Sequence, residues 1–128
     1  MPFQKAGLLY QRKYDVAPNN QAYETKTEFD STHSRAIAAV PPGSKVLDIG
    51  CGTGAVARAL RARDCIVTGL DGLPVDAVNG LDEYHQIQLG AEALPVDPSN
   101  YDIVLLLDVI EHLKYPEEFI NMLHDRLA

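Results

Sequence analysis

Short apolar runs alternate along this chain with stretches of helical period. Val46 to Ile49, Cys65 to Leu70 and Tyr101 to Leu107 are largely apolar segments with strand character, and Tyr84 to Leu89 is a more modest one. Between the first two, Thr53 to Arg63 reads as a helix. Val56, Ala59 and Leu60 fall at inward spacing, and Arg58, Arg61 and Arg63 turn outward. Asp30 or Ser31 suits the cap of an earlier helix, which runs to Val40 and is stopped by Pro41-Pro42-Gly43. Pro74 suits the first turn of a helix toward Glu83, weakened at its end by Asn79-Gly80. Pro116-Glu117-Glu118 opens a final helix, with acidic residues where the helix dipole favours them. Strand–helix alternation of this kind predicts an α/β fold with a parallel sheet. Residues 1–30 show no clear period; they are polar, carry Tyr10, Tyr14 and Tyr23, and break at Pro18-Asn19-Asn20.

Composition narrows the setting. The chain has 128 residues, enough for one domain with one core. No apolar run approaches the length that spans a bilayer, and the N-terminus lacks the apolar stretch of a secretory signal. Two cysteines, Cys51 and Cys65, make no disulfide framework, so a reduced, cytoplasmic setting is expected. The net charge of −7 disfavours nucleic acid and anionic membranes as partners.

The most informative chemistry sits at Val46-Leu47-Asp48-Ile49-Gly50-Cys51-Gly52-Thr53-Gly54. A buried strand runs into a glycine-rich turn and then a helix. Glycines admit a ligand where a Cβ would collide, and the helix start offers N–H donors. Asp48, two residues before the first glycine, suits an ammonium lying over the turn. A ligand with an amino-acid tail therefore fits better than a pyrophosphate, which Asp48 would crowd. Packing of strand against helix is the plainer role for the same glycines. Asp71 ends the second strand about twenty residues after the turn, where a carboxylate accepts ribose hydroxyls; a helix cap before Pro74 is its other reading. Asp108, Glu111 and His112 follow the fourth strand and border the cleft expected beyond the strand ends. His112 is the candidate general base toward an acceptor hydroxyl. The other readings are that it orients a loop or shapes the pocket.

Four blocks resemble the class I S-adenosylmethionine-dependent methyltransferases: VLDIGCGTG at 46–54, VTGLD at 67–71, AEALP at 91–95 and YDIVLLLDVIEHL at 101–113. The resemblance covers roughly residues 30–128. It implies a Rossmann-like sheet of spatial order 3-2-1-4 for the four strands, and S-adenosylmethionine as cofactor, with S-adenosylhomocysteine as product. Asp48 and the backbone of Gly50 and Gly52, with Cys51 and Gly54 in the same turn, would hold the methionine tail. Gly72 and Leu73 would lie along the adenine. Many relatives carry an Asp where Gly90 stands. Adenine recognition is therefore expected from the Ala91 N–H and apolar packing, with Glu92 a substitute partner or a solvated charge. Asp108 joins the cofactor-binding set.

The activity so implied is methyl transfer to an O, N or C nucleophile of a small molecule. Two alternatives stay open. One is a non-catalytic cofactor-binding regulatory or scaffold domain. The other is a metal-assisted RNA 2′-O-methyltransferase, because Asp108-x-x-Glu111-His112 resembles that family's Glu-x-x-Glu-His segment; no metal is otherwise expected. Residues 1–30 are expected to form a lid or extension, with Tyr10, Lys13, Tyr14 and Tyr23 as lid candidates. Residues 31–128 are expected to form an incomplete methyltransferase domain, since the class normally continues with three more strands. An unpaired fourth-strand edge then predicts a homodimer through that edge or its flanking helices.

Overall fold

A computed structural model describes residues 7–11, 32–107 and 109–127. Five strands form one sheet: β1 (Gly7–Gln11), β2 (Lys45–Ile49), β3 (Ile66–Asp71), β4 (Glu83–Gln86) and β5 (Ile103–Leu107). Every ladder is parallel, and the spatial order is β1-β5-β2-β3-β4. The four strands read from the sequence therefore take their expected order, 3-2-1-4. The helices are α1 (Thr32–Ala39), α2 (Ala55–Arg61) and α3 (Pro116–Leu127). None of the described helices is long and apolar enough to cross a membrane.

The period of two along each strand divides the core into two layers. Leu47, Ile49, Leu70, Val104 and Leu106 face Phe119 and Leu123 of α3. Val46, Val67, Leu105 and Leu107 face the other way, toward Ala57 and Leu60 of α2 and Val40 beyond α1. Helices on both faces explain why β5 is apolar at nearly every position. Asp48 shares its face with Val46, so its carboxylate is carried into the α1–α2 layer.

Three expectations are corrected. The fourth-strand edge is not open: β1 lies along it, from Gly7 opposite Ile103 to Gln11 opposite Leu107. Part of the expected N-terminal extension is thus a strand of the sheet. The local sign of it is Leu8-Leu9-Tyr10, too short to tell strand from coil, and the long-range ladder decides. The structural motive for dimerisation through that edge goes with it.

The helix expected from Pro74 is only a 3-10 turn, Val75–Ala77. Val75 is 64% exposed, so a helix here has no apolar stripe to bury. The chain instead folds back: Asn79 N–H donates to the Thr53 carbonyl, and Asp82 exchanges bonds with Val67. Finally, the third strand is shorter than Tyr84–Leu89, because the chain turns at Gln88 through bonds from the Ala91 and Glu92 N–H groups to its carbonyl.

Candidate functional site

β2, β3 and β5 end along one rim of the sheet, and there a cleft of about 760 Å³ opens. That volume is typical of a small-molecule site. Its wall includes Asp48 from β2, Gly50 to Thr53 from the turn, Asp71 to Leu73 from the end of β3, and Ile87 to Leu89.

The turn has its shape because both neighbouring strands hold it. Gly50 N–H and Cys51 N–H donate to the Leu70 carbonyl at 2.7 and 3.1 Å. Gly52 N–H donates to Asp71 Oδ2 at 2.8 Å. Gly54 caps α2 with φ of 108°, and a Cβ there would stand 2.0 Å from the Asn79 carbonyl oxygen. The Arg58 guanidinium spans the same seam, donating to Asn79 Oδ1 at 2.8 Å and to the Thr53 carbonyl at 3.3 Å.

Asp48 forms the cleft's charged floor. It is 2% exposed, and among the described residues its Oδ2 has no hydrogen-bond partner. Burial pushes its carboxyl up to about 7; the charge of His33 opposes the shift and that of Asp71 adds to it. A carboxylate so placed attracts a buried cation.

Asp71 is held differently. Its carboxylate accepts from Gly52 N–H through Oδ2 and from Leu73 N–H through Oδ1, the latter at 3.1 Å. It therefore shapes the turn, and each oxygen keeps lone-pair capacity for a ligand hydroxyl. Below it the Tyr84 hydroxyl lies 3.0 Å from the Asp71 carbonyl and 2.6 Å from that of Leu73. Burial is the chief cause that pushes this phenol up to about 12, so it stays protonated and donates. Cys51 is buried, and its thiol is likewise pushed up to about 12, by burial first and then by Asp48 and Asp71. It packs and lines the cleft as a thiol, with no thiolate to act as nucleophile.

The structure brings Asp48, Gly50, Cys51, Gly52, Asp71, Gly72 and Leu73 together on this cleft, with Gly54 directly behind the turn. Ala91 and Glu92 are placed elsewhere. They line a neighbouring cavity of about 510 Å³, which shares Gln88, Leu89, His112 and Leu113 with the first. The Ala91 N–H expected for adenine already donates to the Gln88 carbonyl, and Glu92 accepts from Gln88 N–H. His112 borders both cavities; its side chain is 69% exposed, with Nε2 3.6 Å from Glu111 Oε2.

Asp108, Lys13, Tyr14 and Tyr23 lie outside the described residues. So do Asp30 and Ser31, the candidate caps of α1. Among the described residues, no three His, Cys, Asp or Glu side chains gather as a metal set. Sequence reasoning missed Tyr84, the Arg58–Asn79 seam and His33, which lines the cleft from α1. His33 alone carried a local sign, since it continues the helical stripe of Ala36, Ile37 and Val40.

Parallel strands, a glycine turn between a strand and a helix, and a cleft at the strands' carboxyl ends define a Rossmann-like ligand-binding domain. The chain matches the methyltransferase domain family over residues 11–128, and it belongs to that family. It is similar to the ubiquinone biosynthesis O-methyltransferase of Pseudomonas putida (strain GB-1), 37% identical over 87 residues, 62% of this chain and 38% of the relative. The enzyme of the same name from Pseudomonas fluorescens (strain Pf0-1) is 39% identical over 89 residues, again 62% and 38%. That of Pseudomonas syringae pv. tomato (strain DC3000) is 37% identical over 92 residues, 64% and 39%. The chain thus spans little more than a third of the length of these curated relatives.

Proposed function

We propose that this domain binds S-adenosylmethionine and serves methyl transfer to a nucleophilic O, N or C of a small molecule, an oxygen being favoured by the relatives' names. The observation that carries this reading is Asp48: a buried carboxylate with an oxygen that has no hydrogen-bond partner among the described residues, at the floor of a cleft beside the backbone of the glycine turn. An amino-acid ammonium satisfies that oxygen. Gly52 leaves room beside it, since a Cβ there meets nothing within 4 Å. Asp71 has acceptor capacity for ribose hydroxyls, and Leu73, Ile87 and Leu89 offer apolar surface to a flat base.

When bound, S-adenosylmethionine supplies a methyl already activated on a sulfonium. The residues of this chain then have three tasks. Asp48 and Asp71 fix the ligand's ends. Val109 and Leu113 help keep water from the reacting centre. His112, at the mouth, takes the proton of an acceptor hydroxyl where the acceptor carries one.

Calorimetric titration with S-adenosylhomocysteine tests the reading. Asp48→Asn should weaken binding roughly tenfold or more, the loss of one charge-assisted hydrogen bond. Equal affinity in the two proteins sinks the assignment of Asp48. Absence of binding to the unaltered chain sinks the cofactor reading itself. Binding without transfer to any acceptor favours a regulatory or scaffold role.

A further inference from the structure

The second cavity, of about 510 Å³, lies against the base end of the proposed cofactor cleft. The two share Gln88, Leu89, His112 and Leu113, whereas Asp48 and the glycine turn border only the first. Leu89 is also part of the apolar surface offered to the base. The floor of the second cavity is apolar and anchored in the core: Phe119 is buried, and Leu94 and Met122 pack against the same layer. Its rim carries exposed charges of both signs, Lys114 and Arg126 with Glu92 and Glu118. Charges so balanced favour no ionic ligand, and the floor favours an apolar one.

The wall between the cavities selects by shape more than by hydrogen bonding. The Ala91 and Glu92 N–H groups both donate to the Gln88 carbonyl, and Gln88 N–H donates to the Glu92 carboxylate. Gly90 adds no side chain to this wall. Its φ is 87°, and a Cβ there would press on Leu113 Cδ2 at 3.3 Å. In an adenosyl ligand, the ribose meets Asp71 and the base runs along Leu73, Ile87 and Leu89. The edge of the base farthest from the ribose then faces the shared wall, and that edge carries the exocyclic amine. A group on the amine extends past Leu89 and Leu113 into the second cavity.

We propose that the second cavity is an annex to the base subsite, and that the cleft accepts adenosyl ligands bearing an apolar substituent, such as a benzyl group, on the exocyclic amine. The substituent leaves water for the surface of Leu94, Phe119 and Met122, and this gain is absent for the unsubstituted ligand. The proposal rests on the S-adenosylmethionine reading above.

The test compares S-adenosylhomocysteine with its N6-benzyl derivative, which differs only at the exocyclic amine. Both are titrated calorimetrically into the full chain and into its Ala93→Trp variant. Ala93 is exposed and lines the second cavity but not the first, so a large side chain there fills the annex from its rim. The unaltered chain should bind the benzyl ligand within about threefold of the parent or more tightly. Ala93→Trp should weaken the benzyl ligand roughly tenfold and leave the parent within about twofold. Should Ala93→Trp fail to fold, Met122→Phe is measured in its place with the same expectation. A larger loss for the benzyl ligand in the unaltered chain overturns the inference. So does a variant that affects both ligands alike or neither. If the unaltered chain binds neither ligand, the cofactor reading falls first and this inference with it.

Discussion

Asp71 Oδ2 accepts a hydrogen bond from Gly52 N–H at 2.8 Å, tying the end of β3 to the turn that follows β2. Its other oxygen holds Leu73 N–H. One carboxylate thus fixes two backbone segments on which the proposed cofactor lies.

Asp71→Ala should therefore lose stability as well as affinity. Hydrogen bonds to a charged group are worth about 1.5–3 kcal/mol, less where the group is half-exposed, so a loss of about 2 kcal/mol is expected by urea unfolding. Calorimetry should show weaker S-adenosylhomocysteine binding in the same protein. A variant of unchanged stability would show that the two backbone bonds contribute nothing.

Two glycines of the turn should respond differently. At Gly54, φ is 108° and a Cβ would stand 2.0 Å from a backbone oxygen of Asn79, so Gly54→Ala should destabilise by about 3 kcal/mol or more. At Gly52, φ is 60° and a Cβ meets nothing within 4 Å. Gly52→Ala should cost only about 1–2 kcal/mol of backbone strain, yet lower ligand affinity by filling space on the cleft wall. Thermal unfolding and calorimetry on both variants separate the two effects. Equal destabilisation would contradict the contrast.

Asp48 makes stability depend on pH. Its carboxyl titrates near 3.8 when unfolded and at about 7 when folded, so between those values the folded state holds the extra proton. Stability is then greatest at low pH and is lost as pH rises toward 7, by on the order of 4 kcal/mol for this group. Asp48→Asn should remove that slope. The difference in urea midpoint between the two proteins, measured from pH 4.5 to 7.5, should change steadily in favour of the variant. A ligand ammonium favours the ionised form, so S-adenosylmethionine affinity should rise from pH 5 to 7. A flat difference would show that Asp48 is solvated.

The β1–β5 ladder leads to a last expectation. With β1 in place the apolar edge of β5 is covered. Removing residues 1–11 should expose it and drive self-association, visible by light scattering as a rise in mass over the full chain. A truncated protein of unchanged mass would mean that β1 does not protect this edge.

Much of this protein was determined by local sequence. The apolar runs at Val46–Ile49 and Tyr101–Leu107, the glycine turn between them and the helix after Pro116 each carry their own period or conformational need, and each formed about where it was read. Asp48 and Asp71 were legible for the same reason, since a strand end places a side chain at the sheet's rim whatever lies beyond. Tertiary structure decided the rest. Leu8-Leu9-Tyr10 became a strand only because β5 offered unpaired backbone groups. The segment after Pro74 lost its helix to bonds with Thr53 and Val67, residues distant in sequence. His33 reached the cleft through the packing of α1 on the core. Local preference amounts to tenths of a kcal/mol per residue, whereas a buried ladder or an unpaired backbone group is worth on the order of 1 kcal/mol or more. Where the two competed, the long-range contact prevailed.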